Sequence, residues 1–138
     1  MSKRIGGVIV SHVRLANELL SAAEQVVGQL DHIKSVSIGW HDNVEAARDE
    51  IERAIDDVSE GNGVLLLTDM FGGTPSNMSL SFHDEHQVEV VTGMNLPMLI
   101  KLATLREGKP LDELAAFIKA YGQRNISVAS ELVPEGDL

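Results

Sequence analysis

Two short apolar runs that contain no charged residue constrain the fold of this chain more than any other feature. They are Ile5–Val10 and Gly63–Leu67, and neither alternates between apolar and polar positions. An uninterrupted run of this kind is typical of a strand covered on both faces, as parallel sheets require. Segments of helical period follow both runs, which is the order that parallel strands and their crossovers need. The sequence therefore predicts an α/β fold.

Strand-type and helix-type segments alternate along the rest of the chain. Further strands are predicted at Val36–Ile38 and Val88–Val91, with a possible last strand at Ile126–Val128. Helices are predicted at Leu15–Val27, from the cap Asn43 to Val58, at Thr74–Asn77, from Asn95 through Leu105, and after Pro110. This order predicts a doubly wound, mainly parallel four-stranded sheet with helices on both faces and a possible C-terminal fifth strand. We expect a single domain over residues 1–138, with a flexible tail from about residue 131.

Composition excludes several classes of function. The formal net charge of −10 argues against nucleic-acid binding, which needs clustered Lys and Arg. The chain has no cysteine, and so no disulfide, thiolate metal ligand or thiol nucleophile. Its N-terminal apolar run is too short for a signal peptide or a membrane span. We therefore expect a cytoplasmic protein without direct membrane insertion.

Polar residues follow three of the predicted strands. Ser11-His12 follows the first strand, Thr68-Asp69 begins the loop after the third, and Thr92–Pro97 follows the fourth. Because the carboxyl ends of parallel strands lie at one edge of a sheet, we expect these residues to meet there.

The loop after the third strand has the composition of an anion site. Gly72-Gly73 allows the backbone to approach a bound group closely, and Thr74 and Pro75 suit the N-cap and first turn of a helix. Free N–H groups at a helix N-terminus attract anions, and the hydroxyls of Thr74 and Ser76 are candidate donors. A turn and helix cap without any ligand explains the same residues equally well.

His12 is the candidate nucleophile, because it alone lies both at a strand end and at a helix N-terminus. The helix dipole there favours the neutral imidazole, which can attack a phosphoryl group. Asp69 is placed to accept a hydrogen bond from one ring nitrogen and so to orient the other outward. The alternatives are a structural histidine and an aspartate bonded to its own loop. The other histidines lie in or beside polar loops and turns: His32, His41, His83 and His86. Their spacings match no standard zinc site, so no metal is expected.

Three segments together resemble the mannose-family enzyme IIA domain of the bacterial phosphoenolpyruvate-dependent phosphotransferase system. They are Ser11-His12, Thr68–Asn77 with its Asp-x-x-Gly-Gly-Thr-Pro motif, and Gly93–Leu99, and the resemblance runs from about Ile5 to Val128. It implies a phosphotransferase component, without a cofactor, that takes a phosphoryl group from the carrier HPr onto a histidine. A IIB protein then receives the group.

The resemblance also implies roles for particular residues. His12 matches the phosphorylated histidine and Asp69 the aspartate that hydrogen-bonds it, while the loop from Gly72 to Ser76 would bind the phosphoryl oxygens. Family members are typically homodimers in which a C-terminal strand crosses to the neighbour's sheet, and Ile126–Val128 is the matching segment. Many members carry glycine directly after the histidine, whereas this chain has Val13-Arg14. That difference affects access to the imidazole or the charge beside it.

The chain carries no linker and no second domain before Leu138, so a separate IIB protein is expected, and an association of this protein with a membrane permease is possible. The sugar stays open. A regulatory phosphorylation sensor without sugar transport is one alternative function. The phosphocarrier subunit of dihydroxyacetone kinase is another, although its loop usually lacks Gly-Gly-Thr-Pro. A small hydrolase that uses His12 and Asp69 with Ser11 or Ser76 is disfavoured, because no nucleophile-elbow motif is present.

Overall fold

A four-stranded, all-parallel sheet in the order β2-β1-β3-β4 forms the centre of the molecule. The computed structural model describes residues 4–39, 43–83, 87–105 and 108–133. The strands are β1 (Gly6–His12), β2 (Ile33–Ile38), β3 (Val64–Thr68) and β4 (Val88–Thr92). The helices are α1 (Leu15–Val27), α2 (Val44–Val58), α3 (Thr74–Leu80), α4 (Leu96–Thr104) and α5 (Leu111–Arg124). The predicted doubly wound sheet is thereby confirmed.

The two inner strands separate two hydrophobic cores. Val8 and Val10 of β1 pack with the apolar faces of α2 and α3, whereas Ile9 packs with α1, α4 and α5. Successive strand residues point to opposite faces of a sheet. His12 therefore emerges on the α2/α3 face, two residues beyond Val10, and Ser11 emerges on the α1 face.

Helix ends follow the capping residues of the sequence. The side chain of Asn43 accepts hydrogen bonds from the N–H groups of Glu45 (2.8 Å) and Ala46 (3.1 Å) at the start of α2. Asn95 accepts one from Met98 (3.1 Å) at the start of α4. Both predicted caps are confirmed, and each satisfies N–H groups that have no partner within the helix.

Two strand boundaries differ from the sequence prediction by more than one residue. β1 continues through His12 instead of ending at Val10, because Ser11 and His12 still pair in register with Ser37 and Ile38 of β2. β2 begins at Ile33 rather than Val36. The histidine is consequently a strand residue with a fixed orientation, not part of a loop.

The possible fifth strand at Ile126–Val128 is not formed within the sheet of this chain. The segment follows α5 without joining the sheet, and Val128 precedes a short 3-10 helix, Ala129–Glu131. Ile126 is 75% exposed and Val128 is 61% exposed. An extended segment without a neighbouring strand gains no ladder hydrogen bonds, which is why β propensity alone does not make it a strand. The predicted tail starts at about residue 131, and its residues from Pro134 onward lie outside the described residues.

Candidate active site

Asp69 and His12 form a tightly connected pair at the carboxyl edge of the sheet. His12 ends β1, and Asp69 directly follows β3, the strand beside it. The Nδ1 atom of His12 lies 2.7 Å from Oδ2 of Asp69. The same oxygen accepts the backbone N–H of His12 at 2.9 Å, and Oδ1 accepts the N–H of Met70 at 3.0 Å. The side chain of His12 is 42% exposed and that of Asp69 is 12% exposed.

The pKa of Asp69 lies below its ordinary value. Burial acts to raise this pKa, but the hydrogen bonds from the His12 backbone and ring, its charge, and the Met70 N–H lower it by more. Asp69 is therefore a carboxylate at neutral pH and accepts the hydrogen of His12 Nδ1. The neutral ring is then the Nδ1–H tautomer, with its lone pair on Nε2.

Gly73 packs directly against the free nitrogen of that ring. A Cβ atom at position 73 would lie 2.6 Å from Cε1 and 2.9 Å from Nε2 of His12, so only glycine leaves room for the imidazole. The preceding Gly72 has φ +92°, a conformation that glycine adopts without strain. The sequence predicted a close approach of this loop to a bound group, and the structure shows a close approach of Gly73 to the His12 ring.

The start of α3 differs in one detail from the sequence prediction. Gly73, not Thr74, is the N-cap, and it has no side chain with which to accept the free N–H groups. Thr74 is the first helical residue and Pro75 lies in the first turn, as predicted. The first intrahelical bond runs from the Asn77 N–H to the Gly73 carbonyl at 2.9 Å.

A cavity of about 360 Å³ opens beside His12. Its lining residues come from the ends of β1 and β2, the start of α2 and the loop into α3: His12, Val13, Ile38, Gly39, Val44, Ala47, Gly72, Gly73, Thr74, Asn77 and Met78. Four of the six predicted site residues, His12, Gly72, Gly73 and Thr74, line this cavity, and Asp69 is hydrogen-bonded to His12. Ser76 is fully buried behind this wall, and its hydroxyl has no hydrogen-bond partner among the described residues. Asn77 was not among the predicted site residues, but it lines the cavity and is the last residue of the segment Thr68–Asn77.

The residues after His12 form a tight bend. Val13 has φ +53°, and its N–H donates to the Ile38 carbonyl at 2.9 Å. Arg14 does not line the cavity; its Nη2 atom lies 3.5 Å from Oε1 of Glu18, one turn along α1. The conformation of Val13 could not be read from residue type, since a β-branched residue rarely adopts it.

Ser11 anchors the start of α1 behind the site. Its buried hydroxyl accepts the Ala16 N–H at 2.6 Å and donates to the His12 carbonyl at 3.2 Å. Arg14 is the N-cap residue of α1 but its side chain makes no capping bond. Ser11 therefore serves as the cap in space, although it precedes the helix by four residues.

The other described histidines lie away from this edge. Nδ1 of His32 lies 3.2 Å from Nη1 of Arg4, and Nε2 of His83 lies 3.7 Å from Oε2 of Glu89. His83 lines a wider hollow of about 650 Å³ near the amino end of β4. No group of three or more potential metal-ligating side chains occurs within residues 4–39, 43–83, 87–105 and 108–133. His41 and His86 lie outside the described residues.

Fold and site together define an α/β domain that holds an oriented histidine at the carboxyl edge of a parallel sheet. Residues 6–119 match the family EIIA-man, "PTS system fructose IIA component". The chain is 30% identical to the PTS system fructose-specific EIIA component of Bacillus subtilis (strain 168), covering 92% of this chain and 88% of that protein. It is also 30% identical to the PTS system mannose-specific EIIAB component of Escherichia coli (strain K12), over 86% of this chain but only 38% of that protein.

A solved structure supports the same assignment. The mannose/sorbose-specific IIA subunit of the phosphotransferase system from Enterococcus faecalis superposes with a TM-score of 0.81 at 28% identity, covering 91% of this chain and 94% of that one. The chain belongs to the EIIA-man family. It is thus a IIA component of a sugar phosphotransferase system, as its sequence resemblance predicted.

Within the described part of the chain, no helix is both long and apolar enough to cross a bilayer.

Proposed function

We propose that His12 accepts a phosphoryl group from phospho-HPr on Nε2 and passes it to a IIB protein. One observation carries this proposal: Asp69 Oδ2 lies 2.7 Å from Nδ1, which leaves Nε2 as the nitrogen with the available lone pair. Nε2 borders a cavity beside the glycine loop, and the ring is 42% exposed. A relay histidine needs this combination, because it must be oriented and yet reachable by two successive partners.

The transfer consumes no reactant other than the phosphorylated donor histidine and His12. The Nε2 lone pair of His12 forms a bond to phosphorus while the P–N bond to the donor's imidazole breaks, and the donor nitrogen keeps the bonding electron pair. The proton on Nδ1 of His12 stays between the ring and Asp69, which stabilises the positive charge that the ring gains. The onward step is the same reaction, with His12 as the leaving group.

The loop into α3 is suited to the phosphoryl oxygens. Gly72, Gly73 and Thr74 line the cavity beside Nε2, and the hydroxyl of Thr74 can donate. Asn77 adds an amide to the same wall, whereas the buried Ser76 supports the wall from behind. We therefore assign oxygen binding to this loop with Asn77, and we keep Ser76 as a supporting residue. Positioning and hydrogen bonding supply most of the catalysis in phosphoryl transfer.

Exposed apolar side chains surround the nucleophile and suit protein partners. Val13, Val44, Met70 and Phe71 are 54%, 65%, 55% and 72% exposed, respectively. Val13 and Val44 line the cavity, while Met70 and Phe71 lie in the loop between Asp69 and Gly72. Such side chains around a catalytic group are typical of a protein docking site. We assign this rim to HPr and the IIB protein in turn.

We further propose a homodimer in which the exposed Ile126 and Val128 pair with the neighbouring sheet. β4 is the outer strand next to β3, so one of its edges has no strand neighbour in the described chain. Pairing would supply the ladder bonds that this segment lacks in one protomer.

The test is a labelling experiment with purified proteins. The chain is incubated with phosphoenolpyruvate labelled in its phosphoryl group, enzyme I and HPr, and the bound phosphate is examined for lability. We expect an acid-labile, alkali-stable phosphate, typical of phosphohistidine, followed by rapid transfer to a IIB protein. Absence of label on the wild type contradicts the relay. Label without onward transfer to any IIB protein favours the regulatory sensor instead.

A further inference from the structure

Val13 has an unusual backbone conformation beside the nucleophile. Its φ of +53° is the one positive value at a non-glycine residue in the described part of the chain. A β-branched residue rarely adopts this left-handed region, because its Cβ atom crowds the following carbonyl oxygen. Interactions around residue 13 must therefore hold the bend in place.

Two backbone hydrogen bonds hold this bend. The N–H of Val13 donates to the Ile38 carbonyl at 2.9 Å. The N–H of His12, one residue earlier, donates to Oδ2 of Asp69 at 2.9 Å. This is the carboxylate oxygen that also lies 2.7 Å from the imidazole Nδ1. A single oxygen atom thus restrains both the ring and the backbone that leads into the strained residue.

We propose that Val13 is a positioning residue whose strained backbone makes the orientation of the His12 imidazole depend on the backbone hydrogen bond to Asp69. The proposal rests on the proposed function of His12. With Asp69 in place, the two hydrogen bonds outweigh the strain. Without it, the strain favours departure of residue 13 from the left-handed region, and the preceding ring turns away from Gly73. Glycine at position 13 carries no such strain, since it adopts either sign of φ.

The test is a double-mutant cycle that combines Val13→Gly with Asp69→Ala, and the rate of phosphorylation by phospho-HPr is measured. We expect Asp69→Ala to lower this rate, and Val13→Gly to restore it roughly tenfold in that background, the factor that corresponds to strain at one left-handed residue. Val13→Gly also removes one side chain from the docking rim in both backgrounds, so the quantity to compare is the ratio of its rate effects without and with Asp69, which we expect to be roughly tenfold. Far-UV circular dichroism checks folding, and Asp69→Leu, whose side chain is of similar size and also has no acceptor for the His12 N–H, takes the place of Asp69→Ala if the latter does not fold.

Val13→Ala is the matched control. Alanine removes the same apolar bulk from the cavity wall but keeps the Cβ atom that is strained in the left-handed region. We expect Val13→Ala to give little rescue of Asp69→Ala. Equal rescue by alanine and glycine would assign the effect to side-chain bulk and would overturn the proposal.

Amide hydrogen exchange at residue 13 is a second readout that needs no phosphoryl transfer. We expect Asp69→Ala to reduce protection of this N–H by roughly tenfold more with valine than with glycine at position 13. The proposal is overturned if Asp69→Ala reduces protection equally with valine and with glycine at position 13. It is also overturned if the wild type is phosphorylated and the rate effects of Val13→Gly and Asp69→Ala are additive. Absence of label on the wild type overturns the proposed function, and with it this role for Val13, whatever the exchange rates show.

Discussion

Two imidazole–carboxylate pairs among the described residues lie at opposite edges of the sheet, one at the carboxyl ends of the strands and one at the amino ends. His12 and Asp69 lie at the carboxyl edge with Nδ1 and Oδ2 2.7 Å apart. His83 and Glu89 lie near the amino end of β4 with Nε2 and Oε2 3.7 Å apart. The carboxylate is 12% exposed in the first pair and 36% exposed in the second.

A histidine that lies close to a carboxylate does not by itself form a phosphoryl-relay site. Asp69 is fixed by backbone N–H groups of His12 and Met70, and the ring of His12 is confined by Gly73. The distance of 3.7 Å in the second pair is too long for a hydrogen bond, so it does not select a tautomer of His83. The first pair combines a hydrogen bond that selects the tautomer with a ring that Gly73 confines beside a cavity.

Replacement of each histidine by alanine tests the comparison with the largest expected effect. His12→Ala should abolish the acid-labile label, because no other group in the proposed mechanism accepts phosphorus. His83→Ala should keep it, since His83 lies at the other edge of the sheet. The measurement is labelling by phosphoenolpyruvate, enzyme I and HPr. Undiminished label on His12→Ala would show that the phosphoryl group is carried elsewhere.

Gly73→Ala tests whether confinement of the ring matters for transfer. Gly73 has φ −87°, so alanine is acceptable to the backbone, but its Cβ would lie 2.6 Å from the His12 ring. We expect the displaced ring to lower the transfer rate by roughly 10- to 100-fold. The measurement is the single-turnover rate from phospho-HPr.

Gly28→Ala is the control for a glycine substitution away from the site. Gly28 has φ +93° and ends α1, with open space around its missing Cβ. Gly28 has a backbone conformation found almost only at glycine, so this substitution should lower the free energy of unfolding by roughly 1–3 kcal/mol, without the loss of transfer expected for Gly73→Ala. A normal transfer rate in Gly73→Ala would show that confinement of the His12 ring by Gly73 does not contribute to phosphoryl transfer.

The smallest expected effect is a pH dependence of stability that arises from Asp69. Because the pKa of Asp69 is lowered in the folded state, its ionised form stabilises the protein at neutral pH. This contribution is complete above the unfolded pKa of about 3.9 and is lost as the pH falls through the folded pKa. Because a neutral amide accepts weaker hydrogen bonds than a carboxylate, Asp69→Asn should lower the free energy of unfolding by about 1 kcal/mol near pH 7. This loss should shrink below about pH 4. Urea unfolding of both proteins at several pH values measures this, and a cost that grows in acid would contradict the assignment.

Local patterns were sufficient for most of the fold. The uninterrupted run at β3 marked a doubly covered strand, and Asn43 and Asn95 marked two helix starts, because caps and periodicity act over a few residues. The same reasoning did not decide whether Ile126–Val128 is a strand, since a strand needs a neighbour that the segment itself cannot supply. The sequence also placed the N-cap of α3 one residue too late, at Thr74 instead of Gly73, because both residue types are common at the start of a helix.

The sequence by itself determined that His12 and Asp69 would meet, because the ends of neighbouring parallel strands share one edge. It did not determine the second bond from Asp69 to the His12 backbone, the burial of Ser76, or the left-handed conformation of Val13. The bond from the His12 backbone joins residues that are 57 positions apart in the chain. The other two features depend on how the helices and strands pack around Ser76 and Val13. Residue types state which interactions are available, and the tertiary structure decides which of them are made.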